Sequence, residues 1–298
     1  MAFIDELRLT MFNHIKKHPT IHFWYRMIKN MILEFGRDGC FHLAAGIAYY
    51  GIFSIFPLLI ITISIMGYKL GRPEAAARIR EIMTGILPGQ ADMIMSNVET
   101  IARDRGSLGI LGILILLWTA RGLFLAMEYS LNKTWGTPSY RSIIGRNMIA
   151  FFLIFTIGII LGISVSASAV IVYVEHLKVP VLNITLHQLA FWGVINKWLI
   201  STLLMFTVFL LLFKVLPHTK VKLREIMPGA IFSTICWKIA EFCYIWYMKN
   251  MANLSAVYGS IGGMLGILML FYIASTVFLL GAEFNIVYIR MKYKREIL

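Results

Sequence analysis

Charge is what this sequence has least of. Only 14% of its 298 residues are Asp, Glu, Lys or Arg, 59% are hydrophobic, and the mean hydropathy is +0.75. A soluble domain of that length needs far more polar surface, so the composition belongs to the membrane class. Cysteine is almost as scarce. Cys40, Cys236 and Cys243 cannot form a disulfide framework, and two of them lie in one apolar segment, so they read as small buried hydrophobes. Seven residues place Cys236 and Cys243 on one helix face, but no histidine accompanies them, which disfavours a metal site. The GxxxxGK[ST], GxSxG, HExxH and CxxC patterns are all missing, so the common nucleotide, hydrolase and metal templates fail, and no cofactor or metal is expected. Acidic residues are outnumbered 15 to 28 by Lys and Arg, giving a net charge of +13. Nucleic acid is not the expected partner, because most of these cations sit at the ends of apolar segments, where anionic headgroups and insertion bias require them.

What is abundant is apolar length. Six segments stand out, at 43–67, 108–131, 148–174, 198–214, 228–248 and 259–289. Each can cross a hydrocarbon core of about 30 Å at about 1.5 Å per residue. No cleavable signal precedes the first, which is expected to act as an uncleaved anchor. With the N-terminus inside, the inner pieces 1–42, 132–147, 215–227 and 290–298 carry six, three, three and four Lys/Arg, and the short outer pieces 175–197 and 249–258 carry two and one. The bias places both termini in the cytoplasm. The outer loop 68–107 has Ile79, Ile82, Met83 and Ile86 at helical spacing, broken by "LPGQ", and reads as a helical hairpin. Residues 3–15 and 23–35 are amphipathic, with aromatics beside cations, and suit helices in the inner headgroup layer. His14, His18 and His22 are spaced by four, but Pro19 interrupts that register. The expected fold class is all-α: a polytopic bundle of six transmembrane helices with interfacial N-terminal helices, an outer hairpin and a basic tail at 290–298.

Small residues mark close packing. Gly158, Gly162, Ser166 and Ala169 form a stripe on the third segment, and Gly259 with Gly263, and Gly262 with Gly266, form overlapping GxxxG pairs on the sixth. Pro57 removes a backbone donor in mid-span and is expected to kink the first helix. These four glycines and Pro57 are the candidate gating positions.

Polar groups that lipid rejects occur on several segments. Arg121 and Glu128 are seven residues apart on the second, with Asn132 continuing that face; Lys238 and Glu241 are three apart on the fifth; Glu283 and Asn285 close the sixth; Tyr49 and Tyr50 lie in the first. A charge at the membrane centre costs at least about 2.5–3.5 kcal/mol on insertion scales, so these groups should face inward and be paired or wetted. Their depths suggest two alternatives: one shared polar cavity open toward the cytoplasm, or a set of ion pairs that fixes helix register. Trp118 and Trp237 also sit away from the interfacial belts, and each needs a partner for its indole N–H.

Together, "AAGIAYYGIFSIFPLLI" (44–60), "LNKTWG" (131–136), "LP" with a basic loop and "PGA" (216–230), "VYGSIGG" (257–263) and "LLGAEFN" (279–285) resemble the YihY/BrkB family of bacterial inner-membrane proteins over residues 35–290. The resemblance implies a six-helix membrane protein. Members have carried a ribonuclease BN label and have been associated with serum resistance and export of envelope lipids. No agreed catalytic residues follow from it; the matching positions are Tyr49, Tyr50, Pro57, Asn132, Tyr258, Gly259, Glu283 and Asn285. The functional expectation is transport or flipping of an envelope lipid or other anionic amphiphile, with membrane lipids as partners. The alternative is a non-enzymatic structural or interaction protein of the envelope. A ribonuclease ranks third, because metal-dependent RNA cleavage needs carboxylate or histidine clusters near a basic, wetted groove.

Overall fold

Every apolar segment reappears as a helix in a computed structural model, which describes residues 19–70, 107–137, 141–175, 178–179, 184–185, 190–250 and 261–293, with positions 77, 79–81, 84, 92, 95 and 96 between them. The helices are α1 (Pro19–Arg37), α2 (Cys40–Leu70), α3 (Ser107–Thr134), α4 (Ile143–Glu175), α5 (Ala190–Val215), α6 (Leu223–Asn250) and α7 (Ile261–Tyr293). One departure from an all-helical chain is a two-residue antiparallel pair between α4 and α5, Lys178 opposite Thr185 and Val179 opposite Ile184. Segment 3–15, "LPGQ", Gly259 and most of 68–107 lie outside the described residues. Within that loop the described positions are helical, Ile79 and Met95 are buried, and Arg80 pairs with Asp92 at 3.3 Å.

Among the described residues four stretches are long and apolar enough to cross a membrane: Ile143–Ile163, Trp198–Val215, Leu223–Asn250 and Met264–Tyr293. Their outward sides are apolar as well. Phe152, Phe155, Ile159 and Ile163 on α4, and Ile231, Ile235, Ile239 and Phe242 on α6, are all exposed. Such a continuous apolar perimeter suits lipid and not water.

α2 and α7 form the middle of the bundle. α2 packs on α3, α4 and α7; α7 also packs on α6 and α1, and α5 packs on α4 and α6. The core runs through Leu131, Leu153, Ile154, Phe213, Phe278 and Leu279, with Phe213 stacked on Phe278 at 5.4 Å. α6 and α7 approach each other closely through glycines. A Cβ on Gly281 would lie 1.7 Å from Ser233 Oγ, and one on Gly229 would lie 2.3 Å from Asn285. α1 lies along the end of α7, burying Met27 and Met31 against Phe284 and Val287, while Arg290 Nη1 sits 2.8 and 2.9 Å from the two Glu34 oxygens. Its other side exposes Trp24, Ile28, Ile32 and Leu33.

α2 extends through Pro57 as one helix. Two boundaries moved in ways that matter. α5 begins eight residues before the apolar run expected at 198, and α4 begins at Ile143 where the apolar run was expected from 148. Ser142 caps α4, its Oγ accepting the Gly145 N–H at 3.2 Å, so the helix starts inside a stretch that composition alone assigns to a loop. Arg146 and Asn147 thereby become helical and face the bundle.

Candidate functional site: a cationic groove beside α2 and α3

A groove of about 670 Å³ opens along α2 and α3. The α2 wall is aromatic, with Tyr49, Tyr50 and Phe53; the other carries Trp118, Arg121 and Tyr129 of α3 and, from the first turn of α4, Arg146. His42 and Ser130 close the end nearest α1. Gly122 makes room for Tyr50, since a Cβ there would lie 2.6 Å from the ring. Tyr49 packs edge-on against Tyr50 and Phe53 at 5.3 and 5.5 Å. From His42 to Phe53 the α2 wall rises about 16 Å, roughly half of a hydrocarbon core of about 30 Å.

Arg121 is held but not neutralised. Its Nη1 donates to Asn147 Oδ1 at 2.9 Å, and its guanidinium lies 3.7 Å from the centre of the Trp118 ring. Nε has no hydrogen-bond partner among the described residues. Among the described residues the groove lining holds two arginines, a histidine and no carboxylate. A cation whose partners are neutral, in a partly desolvated cleft, attracts an anion more strongly than one in water.

Glu128, two turns along α3 from Arg121, is buried and takes two partners, Arg141 Nη1 at 3.4 Å and Arg146 Nε at 3.3 Å. Arg141 also donates to the carbonyls of Leu216, Val215 and Pro217 at 3.1, 3.2 and 2.9 Å, satisfying the end of α5. Asn132 belongs to the same latch. α3 ends in a Schellman turn: Gly136 sits at φ 66°, its N–H donates to Lys133 O, and the Thr137 N–H donates to Asn132 O. The Asn132 side chain then accepts the His218 N–H at 3.0 Å. "LNKTWG" and "LP" thus meet as one joint between α3, α4 and α5. Asn132 therefore holds this joint and is absent from the groove lining.

Of the two alternatives read from the sequence, the single shared chamber does not form among the described residues. Lys238 donates to Glu241 at 2.9 Å and to Ser201 of α5 at 2.7 Å, and neither Lys238 nor Glu241 lines the groove. Glu283 is fully buried in a third place, where Oε1 accepts the Cys40 thiol at 3.5 Å and Oε2 has no hydrogen-bond partner among the described residues. Asn285 accepts the Gly229 N–H at 2.8 Å, joining "PGA" to "GAEFN". The reason is packing: α3 turns its polar side to α2 and α4, and α6 turns its own to α5 and α7. Gly262 and Gly266 are buried near the start of α7, and the Gly266 carbonyl accepts Tyr244 OH at 3.0 Å.

Of the residues singled out in the sequence, the groove brings together Tyr49, Tyr50, Trp118 and Arg121. Arg141, Arg146 and Asn147 were missed because they sit in a polar stretch between apolar runs, where cations are ordinary. The available signal was Ser142, a helix cap followed by a stretch that can continue into the apolar run.

The profile of the family described as Virulence factor BrkB matches residues 31–297, and the chain belongs to that family. It is similar to a Bacillus subtilis protein named as ribonuclease-like, YfkH, with 30% identity over 81% of this chain and 87% of that protein. It is also similar to UPF0761 membrane proteins of Aggregatibacter aphrophilus, with 23% identity over 92% of this chain and 93% of the relative, and of Chlorobium phaeobacteroides, with 23% identity over 89% of this chain and 57% of the relative. The chain thus spans less than two thirds of the length of some relatives. No solved structure matches. Family, relatives and apolar helices together make it a multi-pass membrane protein.

Proposed function

We propose that this BrkB-family membrane protein binds an anionic amphiphile of the cell envelope in the α2–α3 groove and carries its headgroup part or all of the way across the bilayer. The observation that carries the reading is the position of Arg121: a cation midway along α3 whose partners among the described residues are neutral, in a cleft lined by aromatic side chains. A polar cleft lowers the cost of moving a headgroup through hydrocarbon, while tails stay outside in lipid. A volume of about 670 Å³ lies within the roughly 300–1,000 Å³ usual for small-molecule sites. The associated topology is six spans in the bacterial inner membrane with both termini cytoplasmic. It is supported by the cations gathered at the α1 end of the bundle, among them Arg37, Lys133, Arg141, Lys214, Lys222 and Arg290. The reaction is transport, and the protein is taken as non-enzymatic.

The test is reconstitution of the full chain in vesicles containing a labelled anionic lipid. Wild-type protein and Lys238→Ala should move the label at similar rates, and Arg121→Gln should be slower by roughly tenfold or more. Equal rates for wild type and Arg121→Gln, or no movement above protein-free vesicles, would end the proposal. A second reading, a structural or interaction protein, is favoured by one observation: Lys238 is fully partnered within its own helix pair. On that reading, Arg121→Gln would leave both lipid binding and the cellular phenotype intact.

A further inference from the structure

Charge accounting around the groove says more about the headgroup, on the reading that the groove binds an anionic amphiphile. Three guanidiniums, Arg121, Arg141 and Arg146, gather where α3 meets α4, and a single carboxylate, Glu128, lies among them. Two positive charges are left over. Arg141 is fully engaged by Glu128 and three main-chain carbonyls and is not part of the groove wall. Arg146 engages Glu128 through Nε, which leaves its two terminal nitrogens, and its side chain lines the groove. Arg121 spends Nη1 on a neutral amide. Arg121 keeps Nη2 and Arg146 keeps both terminal nitrogens, and both side chains line the same cleft.

From this we infer that the groove takes an amphiphile whose headgroup ends in a phosphate monoester, in preference to a phosphodiester. A monoester carries close to two negative charges at neutral pH and offers three acceptor oxygens, enough for one guanidinium fork on each of two sides. A diester brings one charge and two free oxygens, and would leave one guanidinium uncompensated in a partly desolvated site, which is costly. The aromatic side chains of Tyr49, Tyr50 and Trp118 then receive the backbone and first chain carbons. Free phosphate carries the same charge but no tail, so the two sources of the chemistry separate by experiment.

Trp118, packed on Arg121, is a built-in reporter. The full chain is placed in phosphatidylcholine nanodiscs, and its emission is followed while short-chain phosphatidic acid, phosphatidylglycerol with the same chains, or inorganic phosphate is added; Trp118→Phe identifies the signal. Phosphatidic acid should bind roughly tenfold or more tightly than phosphatidylglycerol. That preference should fade as pH drops through about 6, where the monoester takes up its second proton. Arg146→Gln should weaken binding of phosphatidic acid by a larger factor than binding of phosphatidylglycerol, and so reduce the preference. If that variant does not fold, the pH dependence of the wild type decides alone. Equal affinity for the two lipids, a preference independent of pH, or equal loss of both lipids in Arg146→Gln overturns the monoester assignment and leaves the anionic groove standing. Binding of neither lipid overturns both. Inorganic phosphate binding as tightly as phosphatidic acid overturns the amphiphile.

Discussion

Arg121 and Lys238 are both cations inside apolar helices, yet their surroundings differ in kind. Lys238 has a carboxylate one turn away at 2.9 Å and a serine hydroxyl at 2.7 Å from the neighbouring helix. Its charge is answered locally, and it ties α5 to α6. Arg121 has an amide, an indole face and an Nε without a partner among the described residues, and it lines an open cleft. The lesson is that depth in a membrane does not by itself mark a functional charge. What marks it is whether the protein has already supplied the counter-ion.

The comparison can be broken or sharpened by substitution. The largest effect is expected at Glu128, which anchors the cationic region: Glu128→Ala strands Arg141 and Arg146. Removing one partner of a fully buried pair costs about 3–5 kcal/mol; with these arginines partly exposed, about 2–3 kcal/mol is expected. Denaturation in mixed micelles measures it, and a change within error would mean that the joint at Val215–Pro217 holds without the carboxylate.

Next in size is the Lys238–Glu241 pair. Lys238→Met alone leaves Glu241 uncompensated and should cost about 1–2 kcal/mol, whereas Lys238→Met with Glu241→Met should regain most of it, as apolar replacements of ion pairs often do. Lipid movement should be unchanged in both. Slowed movement by a stably folded double variant would erase the distinction between the two cations.

Smallest is Gly122→Ala. Its Cβ would fall 2.6 Å from the Tyr50 ring, so the ring must turn into the groove, at about 1 kcal/mol of strain. Lipid binding should weaken more than stability does. Unaltered binding alongside lower stability would show that Tyr50 is packing and not a groove wall.

Much of this architecture was legible because hydrocarbon is an unforgiving solvent. Long apolar runs have few alternatives to helices: the expected span at 228–248 sits inside α6, and the described part of the one at 259–289 sits inside α7. The Lys238–Glu241 pair was legible too, since residues three apart on a helix are neighbours whatever surrounds them. The partners of Arg121, Glu128 and Glu283 were not, because each comes from another helix or from a turn between helices. Asn132 illustrates the difficulty. Its place beside Glu128 suggested a shared polar face, but the Schellman turn that follows sends its side chain to the main chain at His218.

By itself, the sequence determined that this chain lives in a membrane, where its helices run and which residues could not be left to lipid, because transfer energies and helical spacing depend on residue type and local order alone. Only the tertiary structure decided which of those residues met a partner and which were left facing a cleft. Helix rotation and neighbour choice arise from packing, from glycines such as Gly281 that let helices close together and from joints such as Arg141 on the end of α5. Those contacts are formed by residues far apart in the chain, and no local pattern encodes them.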